Sequence, residues 1–440
     1  MSRFSEYLFY IWLISLPFNN YNLVGTLSFD QLLGPTLVVL WLLTQPKSDA
    51  VFKRGQAKRI ATAIILLSFY FLCHAIILGN STSSLWTFIY GFLTVLHNFI
   101  LPILYVRSLS IRRNAEDCIL TVTMVGAMSS FLAAIGFLHL ELERLSTSRI
   151  AIEGLDLTRS IGLFDAFGDM AILSAFSIML VLSTQRDRVL FFKRTRLIMA
   201  CIVGVIILGL IGSQSRNMVL TILTSIFAFL IIRRWSGSGS NWIPKFYIFF
   251  IGGAVSVALI LVFMFDPIVE LLSSWGGKSA SGTANTRLEQ YRMGFVLLDG
   301  NYIFGAAADV QDKMGAYIQG IHNMWVKEFV KGGFIAVISM LAFFLVGMRR
   351  ATKCLKLNPL DEAAILRLAL IITLLVSTQF NPSGTEIFWV ILGMVLSNSC
   401  LRSTPSHGSK STELSKCSSI LPTVKNVKEH RCLHLVNKKV

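Results

Sequence analysis

Charge is scarce in this sequence: Asp, Glu, Lys and Arg together make up 15% of its 440 residues, while 54% are hydrophobic. A water-soluble surface needs more charge than that. The apolar residues stand in long unbroken runs, and these lack the apolar–polar alternation of barrel strands, which excludes a β-barrel reading. A bilayer core about 30 Å thick takes about 20 apolar residues as a helix, and only helices or closed barrels satisfy their backbone groups there. The fold class expected is therefore all-α: a polytopic helical membrane bundle of about twelve spans. They lie near 7–18, 29–45, 60–79, 85–106, 117–138, 167–183, 197–213, 217–232, 246–265, 324–347, 363–380 and 385–400. The first run lacks a small-residue cleavage site, so it reads as a retained segment rather than a signal peptide.

A second shortage sets the orientation. The short loops "NNYNLVGTLS", "GNSTSS" and "NPSGT" contain no Lys or Arg. The alternate loops are rich in them: Lys47, Lys53, Arg54, Lys58 and Arg59; Arg107, Arg112 and Arg113; Arg186 to Arg196; Arg233, Arg234 and Lys245; Arg349 to Lys356. Basic loops stay in the cytoplasm, so both termini are expected there. The net charge of +16 follows from this bias and from a basic tail, and nucleic acid is not needed as a partner. No cysteine falls in an outer loop, so no disulfide framework is expected. Residues 401–440 are polar, Ser-rich and basic, and are expected to be disordered. His430, Cys432 and His434 in that tail read as a chance cluster rather than a metal site.

With this topology two long segments face outside, about 139–166 and about 266–322. The second is a large periplasmic loop, and a loop of that length is unusual unless it works. Within it "TANTRLEQYRMGFVLLDG" offers Thr286 as an N-cap. Leu288, Tyr291, Phe295 and Leu298 have the spacing of an amphipathic helix on the membrane surface. Basic residues are disfavoured outside, so the few present carry information. Arg216 stands in the tight turn "GSQSRNMV" after Ser215, either snorkelling to the interface or held for an anion. Arg287 and Arg292 lie in the surface helix, where each is open between a solvated charge and an anion ligand. Arg144, Arg149 and Arg159 are mixed with Glu141, Glu143, Glu153 and Asp156, and local ion pairing accounts for most of them.

His322 stands at the outer start of "HNMWVKEFVKGGFIAV", with Asn323 beside it to hydrogen-bond or to cap the helix. Histidine is suited to taking a proton near neutral pH, although position alone also allows an interfacial histidine without chemistry. His74 and His97, inside spans, read as packing residues. Glu386 in "NPSGTEIF" sits at the outer start of the last span, where it could orient His322 or an arginine, or simply favour the helix dipole. Arginine forks match phosphate oxygens, so the outer arginines with one outer histidine suggest a lipid phosphate substrate and an alcohol nucleophile. No HExxH, DxD, Walker loop or GxSxG occurs in an outer segment, which leaves a metal hydrolase or an ATPase without support.

Three stretches resemble the O-antigen ligase and polymerase superfamily. "GLIGSQSRNMVLTIL" is similar to the family's Ser-Arg turn between two spans, with Arg216 at the arginine. "TRLEQYRMGFVLLDGNYIFGAA" resembles a segment opening at an arginine, here Arg287, and closing in a glycine turn, here Gly305. "HNMWVKEFVKGGFIA" resembles a histidine, an amide or serine, nine residues and a glycine, here His322, Asn323 and Gly333. The match covers about 210–340 inside a ligase-like region of about 197–400; "GAAAD" departs from the usual Gly-x-Gly, and Gln214 and Asn217 flank the turn unusually.

The resemblance implies a membrane glycosyltransferase of GT-C-like type with an outer loop capping a cavity. It would take a glycan from undecaprenyl diphosphate and give it to a sugar hydroxyl, without nucleotide sugar, metal or other cofactor. His322, Arg287 and Arg216 would be the catalytic set, and Asn323, Ser215, Arg292 and Glu386 would bind substrate. The acceptor would be lipid A-core for a ligase, which the His-Asn spacing favours, or another lipid-linked repeat for a polymerase. A third reading is a non-enzymatic carrier of lipid-linked glycan, against which stand the lack of an evident internal repeat and the position of the charges at the rim.

Overall fold

A computed structural model describes residues 3–16, 22–24, 27–43, 62, 65, 82–106, 108–138, 149–152, 155–158, 160, 162–164, 167–183, 188–189, 192–193, 195–213, 215–236, 289–306, 321, 323–378 and 386–397. The long elements are all helices: α1 (Arg3–Ser15), α2 (Phe29–Leu43), α3 (Thr82–Tyr105), α4 (Leu109–Ala134), α5 (Phe167–Leu182), α6 (Arg196–Ser213), α7 (Arg216–Ser236), α8 (Met324–Leu357), α9 (Glu362–Ser377) and α10 (Glu386–Leu396). Four of them carry stretches long and apolar enough to cross a membrane: Ser110–Ala134, Arg196–Ser213, Asn217–Ser236 and Met324–Leu357. The chain is a helical membrane protein. The expected spans near 60–79 and 246–265 lie outside the described residues, apart from Thr62 and Ile65, as does the tail from 401. By backbone contacts the chain divides into Met1–Ser399 and Cys400–Val440.

Small antiparallel pairs interrupt the helical reading. β1 (Asn22–Val24) pairs with β2 (Leu27–Ser28), β3 (Arg149–Ile152) with β4 (Leu155–Thr158), and β5 (Arg188–Val189) with β6 (Phe192–Lys193). In "RIAIEGLDLT" the apolar alternation on either side of a glycine, Ile150 and Ile152 before it and Leu155 and Leu157 after it, explains the second pair. The all-α expectation holds for the spanning helices and not for these connections.

Helix boundaries follow polar caps more than apolar limits. α4 opens at Leu109, eight residues before the apolar run, because the Ser108 side chain accepts the Ile111 N–H at 3.2 Å. Inside α4 the pair Arg112 and Glu116, one helical turn apart, is buried and bonded at 2.7 Å. α9 opens where Asp361 accepts the Ala363 and Ala364 N–H groups. α8 runs 34 residues; at about 1.5 Å per residue it would be about 50 Å long, well over a bilayer core. It is in fact broken, because Gly332 and Gly333 leave helical geometry, with Gly333 at φ 62°.

The core is aromatic and glycine-fitted. Phe99 of α3, Phe343 of α8 and Trp389 of α10 meet edge to face, with centroids 5.3 to 6.1 Å apart. A Cβ on Gly393 would lie 2.4 Å from the Phe99 carbonyl oxygen, so α3 and α10 touch through backbone. His97 is buried with Nδ1 2.9 Å from the Leu93 carbonyl and packs on Gly34, the packing role expected of it. Cys118 and Cys201 are free thiols, whereas Cys354 is disulfide-bonded, a departure from the expectation of no disulfide.

Candidate functional site

Hydrogen bonds between elements fix which helix ends lie together. At one end, the Glu362 side chain of α9 accepts from Ser183 Oγ at 2.6 Å and pairs with Arg233 of α7 at 3.5 Å. Arg350 of α8 donates to the Leu396 carbonyl of α10 at 3.0 Å. These contacts gather the C-terminal ends of α5, α7 and α10 with the start of α9. The antiparallel packing therefore carries the starts of α5, α7 and α10 to the opposite end, together with the finish of α9.

That opposite end is where Asn323 lies. Its side-chain oxygen accepts from Trp325 N at 2.9 Å and Val326 N at 3.2 Å, so it serves as the N-cap of α8, the capping alternative of the two roles read from sequence. Thr378, the C-cap of α9, completes the tie. Its carbonyl accepts from Met324 N at 2.9 Å, and its hydroxyl accepts from the Trp325 indole at 3.0 Å. Two successive helix ends, with opposite dipoles, thus close on each other.

The Ser-Arg turn is anchored at the same end. Ser215 is buried, and its hydroxyl oxygen accepts from Met218 N at 3.3 Å, opening α7. Arg216 is the first residue of α7. The preceding Gly212 lies against the Ser130 and Phe131 backbone of α4, and its carbonyl accepts from Ser160 N at 3.0 Å. Ser130 Oγ donates to the Ser160 carbonyl, and the Ser129 hydroxyl accepts from Leu163 N. A side chain on Gly212 would collide with α4, which is why the turn stays tight.

The segment 289–306 docks at the broken helix. Residues 289–297 are helical and pack Tyr291, Gly294 and Leu298 inward, with Ile321, Val326 and Val330 beneath. The turn that follows clasps the break in α8. Ala306 N donates to the Val330 carbonyl at 2.7 Å, and Phe334 N donates to the Tyr302 carbonyl at 2.9 Å. These bonds satisfy groups that the break would otherwise orphan. Gly305 and Gly333 are both left-handed, and a Cβ on either would strike backbone. The two glycines singled out by the resemblance thus serve the same docking, Gly305 against the backbone of residues 330–332 and Gly333 against that of Ile303 and Phe304. A helix is present over the described part of the expected segment, and Phe295, half exposed, lies beside Tyr291 and Leu298 with its ring against Phe329 of α8.

The seven sequence-derived site residues are placed as follows. The backbones of Arg216, Ser215, Asn323 and Glu386 share one end of the bundle. Arg292 is exposed on the docked helix. Arg287 and His322 lie outside the described residues, though each adjoins or nearly adjoins one that is described. Sequence reading passed over Lys327 and Glu328, each 6% exposed, one turn into α8, where Lys327 N donates to the Asn323 carbonyl. The signal was available, since charges inside an apolar run are expensive and mark function by default. Among the described residues no group of three His, Cys, Asp or Glu could hold a metal ion. No model of a known protein family matches the chain, and neither does any curated protein sequence.

Proposed function

We propose that the chain is a metal-independent membrane glycosyltransferase that moves a glycan from undecaprenyl diphosphate to a sugar hydroxyl of lipid A-core. It would act as an O-antigen ligase on the periplasmic side of the bacterial inner membrane. The observation that carries this reading is the gathering of Arg216, Asn323 and Glu386 at one bundle end, with buried Lys327 one turn below. The resemblance of three stretches to the ligase and polymerase superfamily supplies the chemistry, and the basic-loop bias supplies the side.

Transfer needs a stabilised leaving diphosphate and an activated acceptor. Arg216 and Arg287 offer the bidentate forks that suit phosphate oxygens. Helix N-termini carry positive dipole ends that favour an anion, and α7 and α10 start beside Arg216 and Glu386. Charge stabilisation on the leaving group is usually the larger catalytic term. His322, before the Asn323 cap, takes the proton of the acceptor hydroxyl or positions it. Asn323 fixes the start of the helix that carries this histidine. Glu386 orients His322 or an arginine from the start of α10.

The test uses purified protein in lipid, with donor binding and product formation measured separately. His322→Ala is expected to bind lipid-linked donor and to transfer about 10²–10⁴-fold more slowly, the usual worth of general-base help. Arg216→Ala and Arg287→Ala are expected to lose donor binding, with poor rescue by lysine. Near-normal transfer by all three variants overturns the reading. Loss of donor binding in the histidine variant, with turnover of bound donor kept, moves His322 to the diphosphate pocket. Failure of the wild type to form a glycosidic product without an energy source indicates a carrier. In a deletion strain, accumulated lipid-linked polymer with no banding indicates the ligase, and a single repeat on the core indicates the polymerase.

A further inference from the structure

The docked helix over 289–297 has two unlike faces. Tyr291, Gly294 and Leu298 pack on α8. Another face shows Arg292 and Val296 (61% exposed), neighbours on the helix surface, while Phe295, at the seam between the two faces, is 51% exposed with its ring against Phe329 of α8. The turn adds Tyr302, Ile303 and Phe304, all exposed. Five large apolar side chains beside one arginine form a patch that a water-facing loop would not keep.

The patch continues onto α8. Phe295 and Tyr302 both lie against Phe329, with centroids 5.8 and 6.5 Å apart, and Phe329 meets Phe334 at 4.9 Å. Phe334 and Ile338 are more than half exposed, and Leu341 and Leu345 follow on the same stripe. That stripe belongs to a helix long and apolar enough to span the membrane, so it is a lipid-facing surface. Backbone groups of the turn are also prepared for an apolar setting. Asp299 N donates to the Val296 carbonyl, Asn301 N to Leu298, Tyr302 N to Gly300 and Gly305 N to Asn301. Each N–H group bonded within the turn lowers the cost of its entering the bilayer interface.

We propose that residues 292–304 form a phospholipid-binding wedge at the leaflet on the Asn323 side, in which Arg292 holds a lipid phosphate while Phe295, Val296, Ile303 and Phe304 enter the acyl boundary. Tyr302 sits at the headgroup level, where amphipathic aromatic rings are enriched. Arg292 is thereby assigned to bulk phospholipid and leaves the donor-binding set in which the sequence placed it. Because Ala306 and Phe334 are bonded across the Gly332–Gly333 break, the wedge also anchors both halves of α8 to the membrane surface.

The experiment uses the full chain in nanodiscs of phosphatidylethanolamine and phosphatidylglycerol, with the photoreactive analogue benzoylphenylalanine replacing Phe304, and in a second protein Val296. Irradiation is expected to add the mass of one phospholipid at each position. Replacement at Asn301, the exposed polar tip of the turn, is expected to give no such adduct. The adducts are expected to favour phosphatidylglycerol over its bulk share by about fivefold, the preference that about one basic residue near an anionic surface carries. Arg292→Gln is expected to return that ratio to the bulk value. No lipid adduct at either 296 or 304, or adducts to protein alone, overturns the wedge. An unchanged lipid ratio in Arg292→Gln, or loss of donor binding there, overturns the assignment of Arg292.

Discussion

The two ends of the bundle are held by different chemistry. At the Glu362 end every tie named above engages at least one charged side chain: Ser183 and Arg233 on Glu362, Arg112 on Glu116, and Arg350 on a helix-terminal carbonyl. At the Asn323 end the ties named above are neutral: an asparagine cap, a threonine cap bonded to an indole, serine hydroxyls on backbone, and glycines in backbone contact. The difference shows how a membrane protein can reserve charge. A scaffold locked by neutral groups does not draw on ion pairs for its fold. A scaffold locked by ion pairs has its charges already engaged.

The comparison breaks most visibly at the glycine clasp. Gly333→Ala would place a Cβ 2.1 Å from the Ile303 carbonyl oxygen at a left-handed residue. The strain alone is worth about 1–3 kcal/mol, and undocking the turn loses backbone hydrogen bonds worth about 0.5–1.5 kcal/mol each. The expected outcome is a clearly lowered midpoint of denaturant unfolding, with new proteolytic cleavage within 295–306. An unchanged midpoint would mean that the clasp is not structural.

The ion-paired end should respond less. Glu362→Ala removes a buried acceptor, and hydrogen bonds to charged groups contribute about 1.5–3 kcal/mol. Arg233 is 40% exposed at the side chain, so solvent screening leaves its share small, about 0–1 kcal/mol. A double-mutant cycle should therefore find stronger coupling of Glu362 with Ser183 than with Arg233. The reverse order would make the exposed pair the true lock.

The mildest test lies at the cap. Asn323→Ala is expected to cost about 1 kcal/mol through two lost acceptor contacts, while Asn323→Asp keeps the cap. If transfer activity falls in both variants while the stability of the second is preserved, Asn323 also serves the substrate. If activity follows stability alone, it is only the cap.

Much of this was legible in the chain. Ten of the expected spans coincide with described helices, because long apolar runs leave the backbone no partner but itself. The starts at Arg216, Met324 and Glu386 fall where Ser215, Asn323 and a polar loop announced them. Other features were not legible. Gly333 was marked by the resemblance but not as a break in its helix, since nothing local tells that a turn some thirty residues upstream would fill it. That the apolar side of 289–297 docks on α8 was hidden for the same reason.

The sequence by itself determined the membrane class, the positions of the helices and the sites of their caps, because hydropathy and N-terminal hydrogen bonding act over a few neighbouring residues. Only the tertiary structure decided that Gly305 meets the backbone of residues 330–332, that Thr378 closes on Met324, that Lys327 is buried beside the cap, and that Arg292 faces away from the bundle. Those outcomes depend on which helices pack together and at what depth, and close contact between segments far apart in the chain leaves no periodic trace in either one.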